Sequence, residues 1–142
     1  MDEHVIKYYR KLLKNGFLHT GQLDNPDIFL DTVGEKIRIC GHTRHNYLHL
    51  YINISNGKIS EIKYLCVCDP TANVVVEVLC HLIEHKTLEE TAALTPQSFS
   101  TEIGGGDEDY LKKSQRIIEL LKRGIDRYLY SNSNNHCAEE IG

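Results

Sequence analysis

Two cysteines, Cys66 and Cys68, stand directly before Asp69-Pro70-Thr71. A strand-like run ends at this point and a helix-like run begins. Asp69 is a good N-cap, and Pro70 suits the first helical position. The helix start turns its free N–H groups and partial positive charge towards the neighbourhood of Cys68, which favours thiolate over thiol. A thiolate at a strand-to-helix junction can ligate a metal ion or carry sulfur. On an extended strand Cys66 and Cys68 share a face, with Cα atoms about 6.6 Å apart from strand rise alone. Two thiolates so placed can hold one metal ion or one small cluster. The competing account is two small apolar residues in a core, where free cysteine usually lies. That account suits Cys66, deeper on the apolar face, better than Cys68.

Cys40-Gly41-His42 supplies the next donors. Gly41 permits a tight turn, and Cys40 and His42 are soft and borderline ligands. Cys40, His42, Cys66 and Cys68 together are enough for a tetrahedral site. Spacing alone equally describes a connection between strands with an incidental cysteine. His45 and His49 fall on the polar face of a strand, interleaved with tyrosines, and read as a solvated or partly covered face. Cys80 flanks an apolar helix stripe and reads as buried. His81 and His85 are four residues apart, but no H-E-x-x-H pattern accompanies them. Cys137 lies in a polar tail. No Ser-His-Asp arrangement, paired-carboxylate site or phosphate loop stands out. Gly104-Gly105-Gly106 follows a loop, not a strand.

The elements that must position these residues can be read from periodicity. Residues 3 to 14 form an amphipathic helix ended by Asn15-Gly16. Residues 17 to 33 lack clean periodicity and read as a loop with a short helical turn around Ile28 to Leu30. Three strands follow, at Lys36 to Cys40, Asn46 to Ile54 and Lys58 to Cys68. Leu48, Leu50, Ile52 and Ile54 face one way in the second. Asn56-Gly57 is a hairpin turn, and Ile59 is out of phase with Ile62 and Tyr64, so a bulge is expected near Ser60 or Glu61. Residues 70 to 85 are helical, although four valines demand support from packing. Thr87-Leu88-Glu89-Glu90 is a capping box. Residues 95 to 106 read as a loop, a last helix runs to about Tyr130, and 131–142 read as a disordered tail. The whole is an α+β domain over residues 1–130: a three-stranded antiparallel sheet covered by helices.

Composition bounds the class. The chain has 142 residues, 41% of them hydrophobic, and a net charge of −4. One domain with a real core is expected. No basic block points to nucleic acid, and no apolar run is long enough to span a membrane. An acidic N-terminus leading straight into a helix points to a cytoplasmic protein. Five cysteines, an odd count, argue against a disulfide framework.

These segments resemble the iron–sulfur cluster scaffold family, IscU and the N-terminal domain of NifU, from about His4 to Tyr128. His4-Val5-Ile6-Lys7-Tyr8-Tyr9 is similar to the family's opening helix, and Cys40-Gly41 to its first cysteine, in a C-G-D pattern. Gly57 to Tyr64 resembles the hairpin and third strand. Cys68 fits the second cysteine if one residue is inserted after it, and Lys86-Thr87-Leu88-Glu89-Glu90 matches a K-S-L-D-E segment. The departures are specific. The acidic residue after C-G is His42, the third cysteine falls on Lys113, and its preceding histidine falls on Lys112. The Leu-Pro-Pro-Val-Lys chaperone stretch is absent. The resemblance implies a non-enzymatic scaffold that binds iron, zinc or a labile [2Fe–2S] cluster. It also implies a cysteine desulfurase as sulfur source and apo-proteins as acceptors. Cys66 could supply the missing thiolate. Loss of the third cysteine equally suits a relative that keeps the fold and binds no cluster, and the Cys/His mixture suits a zinc-bound persulfide acceptor.

Overall fold

Strict alternation makes the middle strand. Leu48, Leu50 and Ile52 are fully buried, while Tyr47, His49 and Tyr51 between them stay partly exposed. The structure, a computed structural model, describes residues 1–39 and 46–141, with 133–141 described by backbone alone. In chain order the elements are α1 (Glu3–Asn15), β1 (Ile28–Asp31), α2 (Thr32–Glu35), β2 (Tyr47–Ser55), β3 (Lys58–Val67), α3 (Pro70–Ile83), α4 (Leu88–Ala92), α5 (Pro96–Ile103) and α6 (Glu108–Ile141). The strands form one antiparallel sheet in the order β1-β2-β3. Helices cover one face of it, which is the α+β arrangement expected.

The hairpin follows its local chemistry. Asn56 and Gly57 both take positive φ (56° and 73°), as a tight two-residue turn requires. Asn53 pairs with Glu61 and Ile54 with Ile59, so Ser60 is the extra residue of a bulge. The Ser60 hydroxyl donates to the Asn53 carbonyl at 3.1 Å across it.

Three expectations are corrected. The first strand is Ile28–Asp31, where a helical turn was expected, and not Lys36–Cys40. Leu30 pairs with Leu50 and occupies the free edge of β2. The ladder stops where the Leu48 N–H turns to the Thr32 hydroxyl, at 3.1 Å. Lys36 then caps α2 in the left-handed region. Residues 37–39 are held against α6 instead: Ile37 and Ile39 are buried, and the Arg116 guanidinium donates to the Arg38 carbonyl at 2.8 Å. Arg123 donates to the Glu35 carbonyl at 3.0 Å, and Arg127 pairs with the Glu35 carboxylate. Cys40, the expected end of that strand, lies outside the described residues.

The second correction is α5, expected as loop. Pro96 opens it, the Ser98 hydroxyl accepts from the Thr95 N–H at 3.3 Å, and Gly104 ends it at positive φ. Phe99 is its fully buried anchor, and the Tyr110 hydroxyl donates to the Phe99 carbonyl at 2.8 Å, binding α5 to α6. The third is the end of α6, expected at about Tyr130, whose backbone helix continues to Ile141.

Helix α3 is the centre of the helical layer. Ten of its fourteen residues are buried, so it is covered on more than one stripe. It packs on β3, α1, α5 and α6. That explains four β-branched valines in a helix: packing from several sides offsets their weak propensity.

Gly124 sets the approach of α6 to β1. A Cβ there would meet the buried Leu30 side chain at 2.8 Å and Ile28 at 3.0 Å. Gly124→Ala is therefore expected to destabilise the fold by about 1–3 kcal/mol through overpacking, despite the helix propensity alanine adds. Urea unfolding checks this; a variant as stable as the parent would show that β1 and α6 are not in this contact.

Candidate metal-cargo site at the Cys68 junction

The junction is built as its residue types predict. Asp69 is extended (φ −78°, ψ 165°), and its Oδ1 accepts from the Ala72 N–H at 2.8 Å. Pro70 is the first residue of α3, so its missing N–H costs no helical hydrogen bond. Cys68 sits between the end of β3 and this cap, half-buried against the core, with Sγ 3.4 Å from the Tyr47 carbonyl oxygen.

The sulfur of Cys68 is disulfide-bonded. Cys66 and Cys80 are free thiols. A sulfur placed to meet a soft ligand is also placed to meet another sulfur.

Cys66 lies opposite Leu48 on the core face of the sheet. Burial, with the Asp69 carboxylate adding to it, pushes its thiol up to about 12. It therefore keeps its proton at neutral pH and becomes a donor only where a metal displaces that proton. Cys40, His42 and His45 lie outside the described residues. Among the described residues no group of three or more His, Cys, Asp or Glu side chains could hold a metal ion.

Lys113 points into the junction. Its Nζ lies 2.6 Å from Asp109 Oδ1 and 3.7 Å from Asp69 Oδ2, and its side chain is only 13% exposed. Its neighbour Lys112 pairs with Glu108 on the exposed side of α6.

The remaining histidines take other roles. His49 pairs with Asp31 at 3.4 Å and lies among the rings of Phe29, Tyr47 and Tyr51 on the outer face of the sheet. His81 pairs with Glu102 at 3.3 Å, whereas His85 is past the end of α3 at a positive φ of 70°. The two therefore do not share the helical face that their spacing suggests. Cys80 is fully buried among apolar side chains, which pushes its thiol well above the ordinary value.

One buried polar cluster escapes reading by motif. Glu77 Oε1 accepts from the His19 N–H at 3.1 Å and from the Tyr64 hydroxyl at 3.3 Å. Glu77 Oε2 meets His19 Nδ1, and His19 Nε2 lies 3.3 Å from Glu84 Oε1. Burial, with the Glu77 charge adding, pushes the Tyr64 phenol above its ordinary range. The cluster ties residues 17–20 to α3 and β3. Its one signal in the sequence is a glutamate inside the apolar run Val74-Val75-Val76-Glu77-Val78-Leu79.

A three-stranded sheet feeding a capped, buried helix, with a cysteine at the junction, defines an α+β domain. No protein-family model matches the chain. Over 124 residues it is 23% identical to two iron–sulfur cluster assembly scaffold proteins of Archaeoglobus fulgidus, IscU 1 and IscU 2. The match covers 87% of this chain and 76% of each relative. Its fold matches the N-terminal part of a NifU-like protein from Brucella abortus at a TM-score of 0.51. Identity there is 14%, over 99% of this chain and 92% of that one. It also matches a Fervidobacterium islandicum protein assigned as an iron–sulfur cluster assembly scaffold for the SUF system, at a TM-score of 0.59. Identity there is 15%, over 88% of this chain and 96% of that one. In sequence the chain is thus similar to IscU scaffold proteins, and in fold to NifU-like and SUF-system scaffold proteins.

The buried Cys66 thiol has a consequence in alkali. In the unfolded chain a cysteine ionises near 9, whereas folded Cys66 holds its proton to about 12. The unfolded state binds fewer protons in that window, so stability falls as pH rises from 9 towards 12. Urea unfolding between pH 8 and pH 10.5 is expected to give a shallower fall for Cys66→Ala than for the parent. The difference should approach about 1.4 kcal/mol per pH unit. Parallel slopes would mean that Cys66 is not buried as described.

Proposed function

We propose that the protein is an iron–sulfur cluster assembly scaffold that holds iron, zinc or a labile [2Fe–2S] cluster as cargo. Its donors are Cys40, His42 and Cys68, with Cys66 as the additional thiolate. The observation that carries this reading is the cysteine at the capped mouth of α3, in a fold of the scaffold type. A half-buried sulfur at the edge of the core suits cargo that must be both held and released. The Asp69 cap also keeps the start of α3 in register, so Cys68 is presented from a rigid element on its helical side. Sulfur comes from a cysteine desulfurase and the finished cargo goes to apo-proteins. The chain makes no bond on an organic substrate.

A second reading is favoured by Lys113, which meets Asp69 and Asp109 at the junction and offers no ligand to a cluster. In that reading the chain keeps the fold and acts as an interaction or regulatory module. A zinc-bound persulfide acceptor is intermediate between the two.

Anaerobic reconstitution of the reduced protein with iron and sulfide separates them. Bound iron with visible charge-transfer absorption, lost in Cys68→Ser, is the expected result. A colourless, metal-free protein rules out both the cluster and the zinc readings, and zinc without absorption leaves only the persulfide acceptor. Because Cys68 is disulfide-bonded, uptake is expected only after reduction. Equal loading with and without a thiol reductant would remove Cys68 from the ligand set.

A further inference from the structure

Lys113 is a long cationic side chain laid down against the protein where it could have extended into water. Its side chain is 13% exposed, while the carboxylates it meets are 41% exposed for Asp69 and 57% for Asp109. Ordering a lysine side chain costs rotamer entropy, so the pairing must offset that loss. The two carboxylates come from different elements. Asp109 is one turn back on α6, and Asp69 is the cap of α3. Asp69 is engaged twice, with Oδ1 on the Ala72 N–H at 2.8 Å and Oδ2 facing Lys113 at 3.7 Å. Through Asp69, α6 is fastened to the residue that follows Cys68.

We propose that Lys113 is a tethered cation of the Cys68 junction. It positions the mouth of α3 through Asp69 when no cargo is bound, and it sets the local potential that a charged reactant or metal ion meets at Cys68. The metal part of this statement rests on the proposed function; the potential at Cys68 does not. Lys113 offsets one of the two carboxylate charges beside it, so its removal leaves the junction one unit more negative, which favours an incoming divalent cation and disfavours an anionic thiol reagent. Lys113 is thus a positioning residue that also brakes metal binding.

The test separates this role from mere stability. In a Cys40→Ser, Cys137→Ser background Cys68 has no partner sulfur, and Cys66 and Cys80 are held as slow, protonated thiols. The rate of Cys68 with dianionic 5,5′-dithiobis(2-nitrobenzoate) is compared with its rate with neutral 4,4′-dithiodipyridine. Lys113→Gln is expected to lower the anionic-to-neutral rate ratio several-fold, on the order set by one nearby charge. Lys113→Arg should restore it, and 0.5 M NaCl should erase the difference. An unchanged ratio in a Lys113→Gln protein with parental circular dichroism overturns the proposal, whatever the metal experiments give. Should Lys113→Gln not fold, Asp109→Asn takes its place. It strips one counter-charge from Lys113 and should raise the ratio; no rise overturns the proposal. With all cysteines present and reduced, Co²⁺ titration is the metal arm. There Lys113→Gln is expected to bind on the order of tenfold tighter than the parent. Equal affinity overturns the brake, and a parent that binds no Co²⁺ beside a Lys113→Gln that does supports the brake while refuting the cargo reading.

Discussion

Burial of α3 on more than one side is the constraint on which the rest depends. A helix so covered must be apolar around most of its circumference, hence Val74, Val75, Val76, Val78, Leu79, Cys80 and Ile83 in the core. Its one interior charge, Glu77, is buried away from water, and its first N–H groups still need an acceptor. Each of these needs a partner from elsewhere in the chain. At the N-terminus Asp69 supplies an acceptor. In the middle, Glu77 receives the His19 N–H and the Tyr64 hydroxyl and meets the His19 ring. These needs pull residues 17–20, the inner face of β3 and the start of α6 into place around one helix.

The candidate site is a by-product of that constraint. Cys68 lies where the strand must stop and the helix must be capped, so its sulfur is at an edge of the core and not in its depth. Cys66, two residues earlier, is already on the dry side, and its thiol is correspondingly hard to ionise. Asp69 couples the site to α6, since the residue that caps the helix also faces Lys113. The junction therefore sets one cation, Lys113, between two carboxylates, Asp69 and Asp109, beside the helix cap.

Much of the fold was legible because local chemistry and tertiary need agree. The Asn56-Gly57 turn, the bulge at Ser60, the Thr87–Glu90 capping box and the Asp69-Pro70 helix start each rest on a few adjacent residues. Helix α5 was hidden because Pro96 and the following glycines look like loop punctuation, and only the burial of Phe99 makes the segment worth folding. Ile28–Asp31 and residues 37–39 carry similar short apolar alternation. Nothing within either segment says which one takes the edge of β2. Arg116, Arg123 and Arg127 on α6, almost eighty residues or more away, hold the second segment off the sheet.

By itself, then, the sequence determined the elements whose signals are short-ranged: the hairpin, the caps, the central strand and the cysteine at the junction. It also carried the family resemblance, which lies in the order of those signals. Tertiary structure alone decided which segment pairs with β2, that Glu77 is satisfied by His19 and Tyr64, and that Lys113 meets Asp69. These depend on groups far apart in the chain, whose pairing is selected by burial and by the cost of leaving a charge or a strand edge without a partner. No local pattern records such a choice, because each partner alone is an ordinary residue in an ordinary place.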